Sequence, residues 1–297
     1  MIPAPFGIPG EKQWLAIEEV PLGWSADKKY KVTGERGEAL LLRLSDACFY
    51  EQKQAEYETI RRFAALGFPQ SRPVAFGLCE DGRSVYMLLS WVEGQGMEQA
   101  LPEMPVKRQY ALGQEAGRIL KGYHSLLVDR QPASRKERKL KQLAAYEGCS
   151  LRVSGDEAVI GFVRAHIRYV EVLPPCYLHG DFHPGNLVLT PQGQVGVIDF
   201  NRWKVGDPCE EFVKLGLFSQ EVSPAFCRGQ IEGYFGGEPP LAFWQALAVY
   251  AAHTALYSIL WAQPYGQEDI AGMVRRYHRT MGDYDGFKTL VPAWYRV

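Results

Sequence analysis

The run Tyr177-Leu178-His179-Gly180-Asp181-Phe182-His183-Pro184-Gly185-Asn186, with Val197-Ile198-Asp199-Phe200 behind it, constrains this chain more than any other stretch. It sets out a carboxylate, an amide five positions later and a second carboxylate thirteen positions beyond the amide, each beside a short apolar run of strand character. Pro184-Gly185 predicts a tight turn that returns the Asn186 amide beside Asp181 as the chain enters Leu187-Val188-Leu189. Pro191-Gln192-Gly193-Gln194 reads as a hairpin turn, and Val195-Gly196-Val197-Ile198 as the returning strand that ends at Asp199. Both carboxylates are therefore expected at the mouth of one small hairpin.

These residue types suit phosphoryl transfer. The reaction spreads negative charge over phosphate oxygens, so positioning and neutralisation do most of the work, and Mg²⁺ held through hard oxygens such as Asp and Asn serves both. Asp181 need not be a strong base for this, since a carboxylate within hydrogen-bond reach can align an acceptor hydroxyl and take its proton late.

His-Gly-Asp-Phe-His-Pro-Gly-Asn at 179–186 followed by Ile-Asp-Phe at 198–200 resembles the signature of the aminoglycoside phosphotransferase-like kinases, which share the protein-kinase fold. The resemblance implies an α+β, two-lobed chain. Its N-terminal nucleotide-binding lobe, 1–92, would be an antiparallel sheet plus one helix. Its C-terminal lobe, 93–297, would be mainly helical, carry the catalytic hairpin and bind the acceptor. It implies Asp181 as catalytic base, Asn186 and Asp199 as Mg²⁺ ligands, and ATP, or GTP, as phosphoryl donor. His179 and His183 flank the base, and their expected part is to orient backbone and carboxylate within the loop.

In the first lobe, Trp14–Glu18, Lys29–Thr33 and Ala39–Leu44 read as three antiparallel strands. The loop Leu22-Gly23-Trp24-Ser25-Ala26-Asp27 lies where the family covers the phosphates, so Ser25 and nearby N–H groups would touch phosphate oxygens. Arg43 takes the place of the family's usual phosphate-facing Lys; its planar fork makes the exchange geometrically unequal, and the competing reading is an edge-strand Arg turned to water. The amphipathic run Tyr50–Leu66 predicts a helix whose Glu56 would pair with that cation, with Glu51 or Glu58 as alternatives under another register. Strands at Pro73–Gly77 and Val85–Val92 follow. The resemblance makes Ser90, Trp91 and Val92 the hinge whose backbone reads the nucleotide base.

Beyond 92 the pattern turns helical. Helices are expected at Tyr110–Leu127, Ala158–Val172, Glu211–Phe218, Leu241–Leu260 and Glu268–Met281, and Asp129–Lys141 reads as a loop-like Gln131–Ser134 followed by a basic helix whose role resists assignment. Asp207 before Pro208 reads as a helix cap.

Composition excludes several classes. No apolar run approaches the ~20 residues of a membrane span, and the first residues lack a signal-peptide pattern. Six dispersed cysteines form no zinc spacing or disulfide framework, which points to a reducing cytoplasm. A net charge of −1 gives no reason to expect nucleic acid or a membrane surface as partner. The expected partner is a small hydroxylated molecule, and the sequence leaves the oligomeric state open.

The expectation is thus an ATP- or GTP-dependent O-phosphotransferase. The resemblance makes an aminoglycoside or similar antibiotic the first choice of acceptor, and the surplus of Asp207, Glu210, Glu211, Glu221, Glu232 and Glu238 over Lys214 and Arg228 in their segment is a small sign in the same direction, since a polycation needs carboxylates. Choline, homoserine, a sugar or another small alcohol is the alternative. A protein kinase is disfavoured by Gly180 in place of Arg and by the absence of a G-x-G-x-x-G loop, an Ala-Pro-Glu motif and a long activation segment. A nucleotide-binding pseudokinase rests on Arg43 alone.

Overall fold

The structure is a computed structural model that describes residues 6–20, 27–128 and 132–296. The chain divides into two compact units, one built from residues up to Gln95 together with Val188–Trp203, the other from Gly96–Leu187 and Lys204 onward.

In the first unit, alternating apolar residues produce β1 (Trp14–Glu19), β2 (Lys28–Gly34), β3 (Ala39–Asp46), β4 (Pro73–Cys79) and β5 (Ser84–Ser90). They form one antiparallel sheet in the order β1-β2-β3-β5-β4. One face buries Val32, Leu42, Leu44, Tyr86 and Leu88 against Phe6, Ile8 and Trp14. Register sets Arg43 between Lys29 on β2 and Met87 on β5. Helix α1 (Tyr50–Ala64) follows a 3₁₀ turn capped by the Asp46 side chain, and its buried face carries Lys53 and Glu56 near the start and Ile60 and Phe63 near the end. Phe63 meets Phe200, ring centroids 5.6 Å apart. Val197 is held in this unit by a parallel bridge to Gln70, its N–H donating to Pro69 and its carbonyl accepting from Ser71.

The second unit runs α2 (Met97–Ala100), α3 (Val106–His124), α4 (Arg135–Glu147), α5 (Glu157–His166), α6 (Pro208–Glu211), α7 (Gln220–Val222), α8 (Pro224–Phe235), α9 (Leu241–Trp261) and α10 (Gln267–Asp283). Helix α9 is apolar on all sides because α4, α5 and α10 pack around it, and it buries Phe243, Tyr250, Leu256 and Ile259. Among the described residues no helix is long and apolar enough to cross a membrane. The strand Cys176–Leu178 pairs antiparallel with Lys204–Gly206, Tyr177 facing Val205, which fixes the start of the His179–Asn186 loop.

Helices α3 and α8 cross at close range through Gly113 and Gly117 on one and Gly229 and Gly233 on the other. A Cβ on Gly117 would lie 2.1 Å from the Gln230 carbonyl oxygen, and one on Gly229 would lie 2.2 Å from that of Tyr110. Backbone has no rotamer with which to yield. Gly117→Ala, which would stabilise an isolated helix, is therefore expected to destabilise the protein by about 3 kcal/mol through overpacking. Urea denaturation measures the effect, and a neutral or stabilising result would contradict this packing.

Two expectations change and a third is met. The predicted helix Glu211–Phe218 is instead α6, a wide π-type turn over Leu215–Ser219 and α7, which rotates the side chains out of a single α-helical period. The predicted Ala158–Val172 helix stops at His166 and continues as a 3₁₀ turn, because Val170 is extended and Glu171 takes a left-handed φ of 65°. The basic helix expected after the loop-like Gln131–Ser134 is α4, capped by the Ser134 hydroxyl.

Candidate active site

In the second unit, Gly180 adopts a left-handed φ of 83°, which turns the chain between the buried strand and Asp181. Glu211, buried on α6, fixes that turn by accepting the Gly180 N–H at 2.9 and 3.1 Å. His179 is fully buried, accepts the Asp181 N–H at 3.2 Å and meets Phe182 edge-on. His183 accepts the Gly185 N–H at 3.2 Å and caps the 3₁₀ turn Pro184–Asn186. Both histidines thus shape the loop, as the sequence suggested.

That turn brings Asn186 back onto the loop. Its Nδ2 donates to the Asp181 carbonyl at 2.9 Å, which fixes the amide and leaves Oδ1 as a hard donor for a cation. The Asp181 carboxylate lies 2.7 Å from the Lys214 ammonium and 3.6 Å from His183 Nε2. Burial opposes its ionisation, but Lys214 and then His183 outweigh that and hold the carboxyl below its usual range.

Asp207 caps α6 by accepting the Cys209 N–H at 2.9 Å, and it also takes the Glu171 N–H and the Tyr250 hydroxyl. The adjacent Glu210 holds four cations: Lys139 at 3.0 Å, Arg138 and Lys204 at 3.1 Å, and Arg135 at 3.4 Å. Burial and the neighbouring cations Lys139 and Arg138 pull the Lys204 ammonium down to about 8 against the opposing pull of Glu210.

In the first unit, Arg43 does not turn to water. It is 3% exposed, and its guanidinium pairs with Glu56 and with Asp27, whose Oδ2 accepts Nε–H at 3.0 Å. Glu56, rather than Glu51 or Glu58, is the partner that α1 presents. Lys53, one turn earlier on α1, donates to both Asp27 oxygens at 2.8 and 2.6 Å and lies 3.6 Å from Glu56, while Ser45 adds a hydroxyl donor at 2.7 Å. Burial raises the Asp27 carboxyl, but Arg43 and Lys53 more than offset this and bring it from 3.8 to about 2. With the folded value depressed, Asp27 contributes stability in full above 3.8, lost as pH falls toward 2. The contribution is about 2 kcal/mol. Denaturant midpoints of the wild type should fall more steeply through that window than those of Asp27→Asn; parallel profiles would contradict the network.

Asp199, also in the first unit, takes a left-handed φ of 61° that costs backbone energy in a non-glycine residue, and its carboxylate meets the Lys29 ammonium at 3.3 Å. At the end of β5, Ser90 donates its N–H to Arg72 and accepts the Arg72 N–H on its hydroxyl, and Trp91 donates its N–H to Ala39. The Lys31 ammonium lies 4.9 Å over the Trp91 ring, and Val92 is half-buried beside Gly196. Ser25 lies outside the described residues. Among the described residues no group of three or more His, Cys, Asp or Glu could hold a metal ion. Asn186 in the second unit and Asp199 in the first each carry a hard oxygen of the kind Mg²⁺ prefers.

Sequence reasoning missed Asp27, Lys53, Lys29, Glu211 and Lys214 as parts of this apparatus. Lys53 had a signal, three positions before Glu56 on one helix face, and so did Lys214, a lone cation within Phe212–Phe218.

The phosphotransferase enzyme family model matches residues 16–244. No curated protein matches the sequence. Solved structures share the fold at low identity. A thermostable mutant of aminoglycoside phosphotransferase APH(4)-Ia superposes with a TM-score of 0.68 at 16% identity, over 93% of this chain and 96% of its own. The GDP complex of a mutant aminoglycoside 2'-phosphotransferase-IIIa gives 0.71 at 16%, over 92% and 94%. Amicoumacin kinase with AMP-PNP, Ca²⁺ and its antibiotic gives 0.65 at 15%, over 94% and 91%. With the model matched across both units and the kinase-like architecture in place, the chain belongs to the phosphotransferase enzyme family.

Proposed function

We propose that this phosphotransferase is a small-molecule kinase that moves the γ-phosphoryl group of ATP or GTP to a hydroxyl of a small acceptor. The observation that carries the reading is the Asp181–Asn186 loop, in which a carboxylate kept ionised by Lys214 and His183 sits beside an amide tied to its own backbone. Asp181 aligns the hydroxyl and accepts its proton late in transfer. Asn186 and Asp199 hold Mg²⁺, which when bound neutralises charge on the phosphates. Arg43, oriented by Glu56, grips the non-transferred phosphates with Ser25, and the Ser90–Val92 backbone receives the base. Relatives solved with GDP and with AMP-PNP support either purine nucleotide as donor. The setting is the cytoplasm.

An aminoglycoside or similar antibiotic, and with it a resistance role, is the first reading of the acceptor, and it is supported by a shared fold with an aminoglycoside phosphotransferase and an amicoumacin kinase. One observation favours the metabolic alternative, a small alcohol such as a sugar or homoserine. Five of the six acidic residues counted on to meet a polycation are engaged elsewhere: Asp207 in a cap, Glu210 by four cations, Glu211 by Gly180, Glu221 by Arg276 and Arg279, and Glu232 by Arg228 and Tyr110.

The test is ADP or GDP release with Mg²⁺ across aminoglycosides, sugars and amino alcohols. Acceptor-dependent release supports a kinase. Mg²⁺-dependent nucleotide binding with no transfer to any acceptor would make the chain a pseudokinase.

A further inference from the structure

Beside Asp181, on the second unit alone, the side chains are arranged around one aromatic ring. The Lys214 ammonium lies 5.1 Å over Phe218 and the Arg276 guanidinium 5.0 Å from it, while the His183 ring is 5.3 Å away. Lys214 and Arg276 retain partial exposure, at 25% and 24% of their side chains. Arg279 donates to the carbonyls of Gly216 and Leu217 in the same turn. The carboxylates here are Asp181 itself, Glu221, which two arginines share, and Asp283, which burial raises and Gln220 engages. The surroundings of the reacting carboxylate are thus cationic.

We propose that Lys214, with Arg276 behind it, selects an acceptor that carries an acidic group, a carboxylate or a phosphate ester, close to the hydroxyl to be phosphorylated. This rests on the small-molecule kinase reading and narrows its acceptor. An ammonium 2.7 Å from Asp181 occupies the place that a cationic acceptor would need, and it repels an amine brought to the same carboxylate. An acidic group gives Lys214 a second partner and leaves Asp181 to the hydroxyl. Arg276 spends one nitrogen on Glu221 and its Nε on the Leu217 carbonyl, which holds its plane against Phe218 and positions it as the outer contact.

The experiment compares acceptors matched in size and hydroxyl geometry: glycerate against 3-amino-1,2-propanediol, and gluconate against glucamine, with kanamycin as the polycation. Wild type, Lys214→Gln and Arg276→Gln are assayed by coupled nucleotide-diphosphate release. Wild type is expected to favour the acid by about tenfold or more in kcat/KM, the size of one charge-assisted contact. Lys214→Gln should bring that ratio toward one, mainly by raising KM for the acid, and Arg276→Gln should do so to a smaller degree. Equal or better use of the amines by wild type, or an unchanged ratio in Lys214→Gln, overturns the inference and leaves the kinase reading standing. Silence with every acceptor, nucleotide binding being intact, overturns the kinase reading and the inference with it.

Discussion

Asp181→Asn is expected to lower kcat for transfer roughly 10²- to 10⁴-fold while nucleotide affinity changes by no more than about threefold. The asymmetry follows from where the side chain sits. Its partners are Lys214 and His183, and neither is among the residues assigned to the nucleotide. Asparagine keeps the volume and one oxygen, so the Gly180 turn and the Asn186 contact, neither of which uses the Asp181 side chain, persist. What disappears is the proton acceptor and the charge that engages Lys214. Stopped-flow nucleotide binding and steady-state transfer on one preparation separate the effects. Turnover within tenfold of wild type would remove Asp181 from the role of base.

Glu210→Gln is expected to destabilise the protein by about 3–5 kcal/mol, the loss that follows when one member of a buried ionic cluster is removed and its partners stay charged. Glu210 is the carboxylate common to Arg135, Arg138, Lys139 and Lys204. Arg138 and Lys204 can turn to water, but Arg135 and Lys139 are only 4% and 6% exposed. Burial alone would raise the Glu210 carboxyl; instead the cations hold it well below the usual range, so the cluster favours its charged form. Arg135 also lies against Gly206, where a Cβ would fall 2.1 Å from its guanidinium, so the absence of a side chain at 206 is what accommodates it. Chemical denaturation reads the loss directly. A change under about 1 kcal/mol would show that solvent already screens the cluster.

Legibility in the sequence followed locality. The Asp181–Asn186 loop lies within ten residues, and its turn chemistry, strand flanks and donor types could be read in place. The Arg43–Glu56 pair was readable because a strand and the next helix bring them together, although Arg43 at 3% exposure is far more enclosed than an edge strand suggests. Asp27 and Lys53, which complete that pair, emerge only when β2, β3 and α1 pack.

Helix α8 went unread for a different physical reason. Gly229 and Gly233 interrupt its apolar pattern and lower its intrinsic propensity, yet the same glycines permit the close approach to α3 that stabilises it. Tertiary packing overrode the local signal. The acidic surplus between Asp207 and Glu238 misled in the opposite way. Counted along the chain it suggests a cation pocket, whereas in three dimensions most of these carboxylates are engaged by caps, backbone N–H groups or arginines.

The most direct test of the central claim is ³¹P NMR of a reaction containing ATP, Mg²⁺ and an acceptor that stimulates ADP release. The account predicts a phosphomonoester resonance that grows in one-to-one proportion with ADP, absent from the Asp181→Asn reaction. Growth of inorganic phosphate alone, or a phosphomonoester formed equally well by Asp181→Asn, would contradict it.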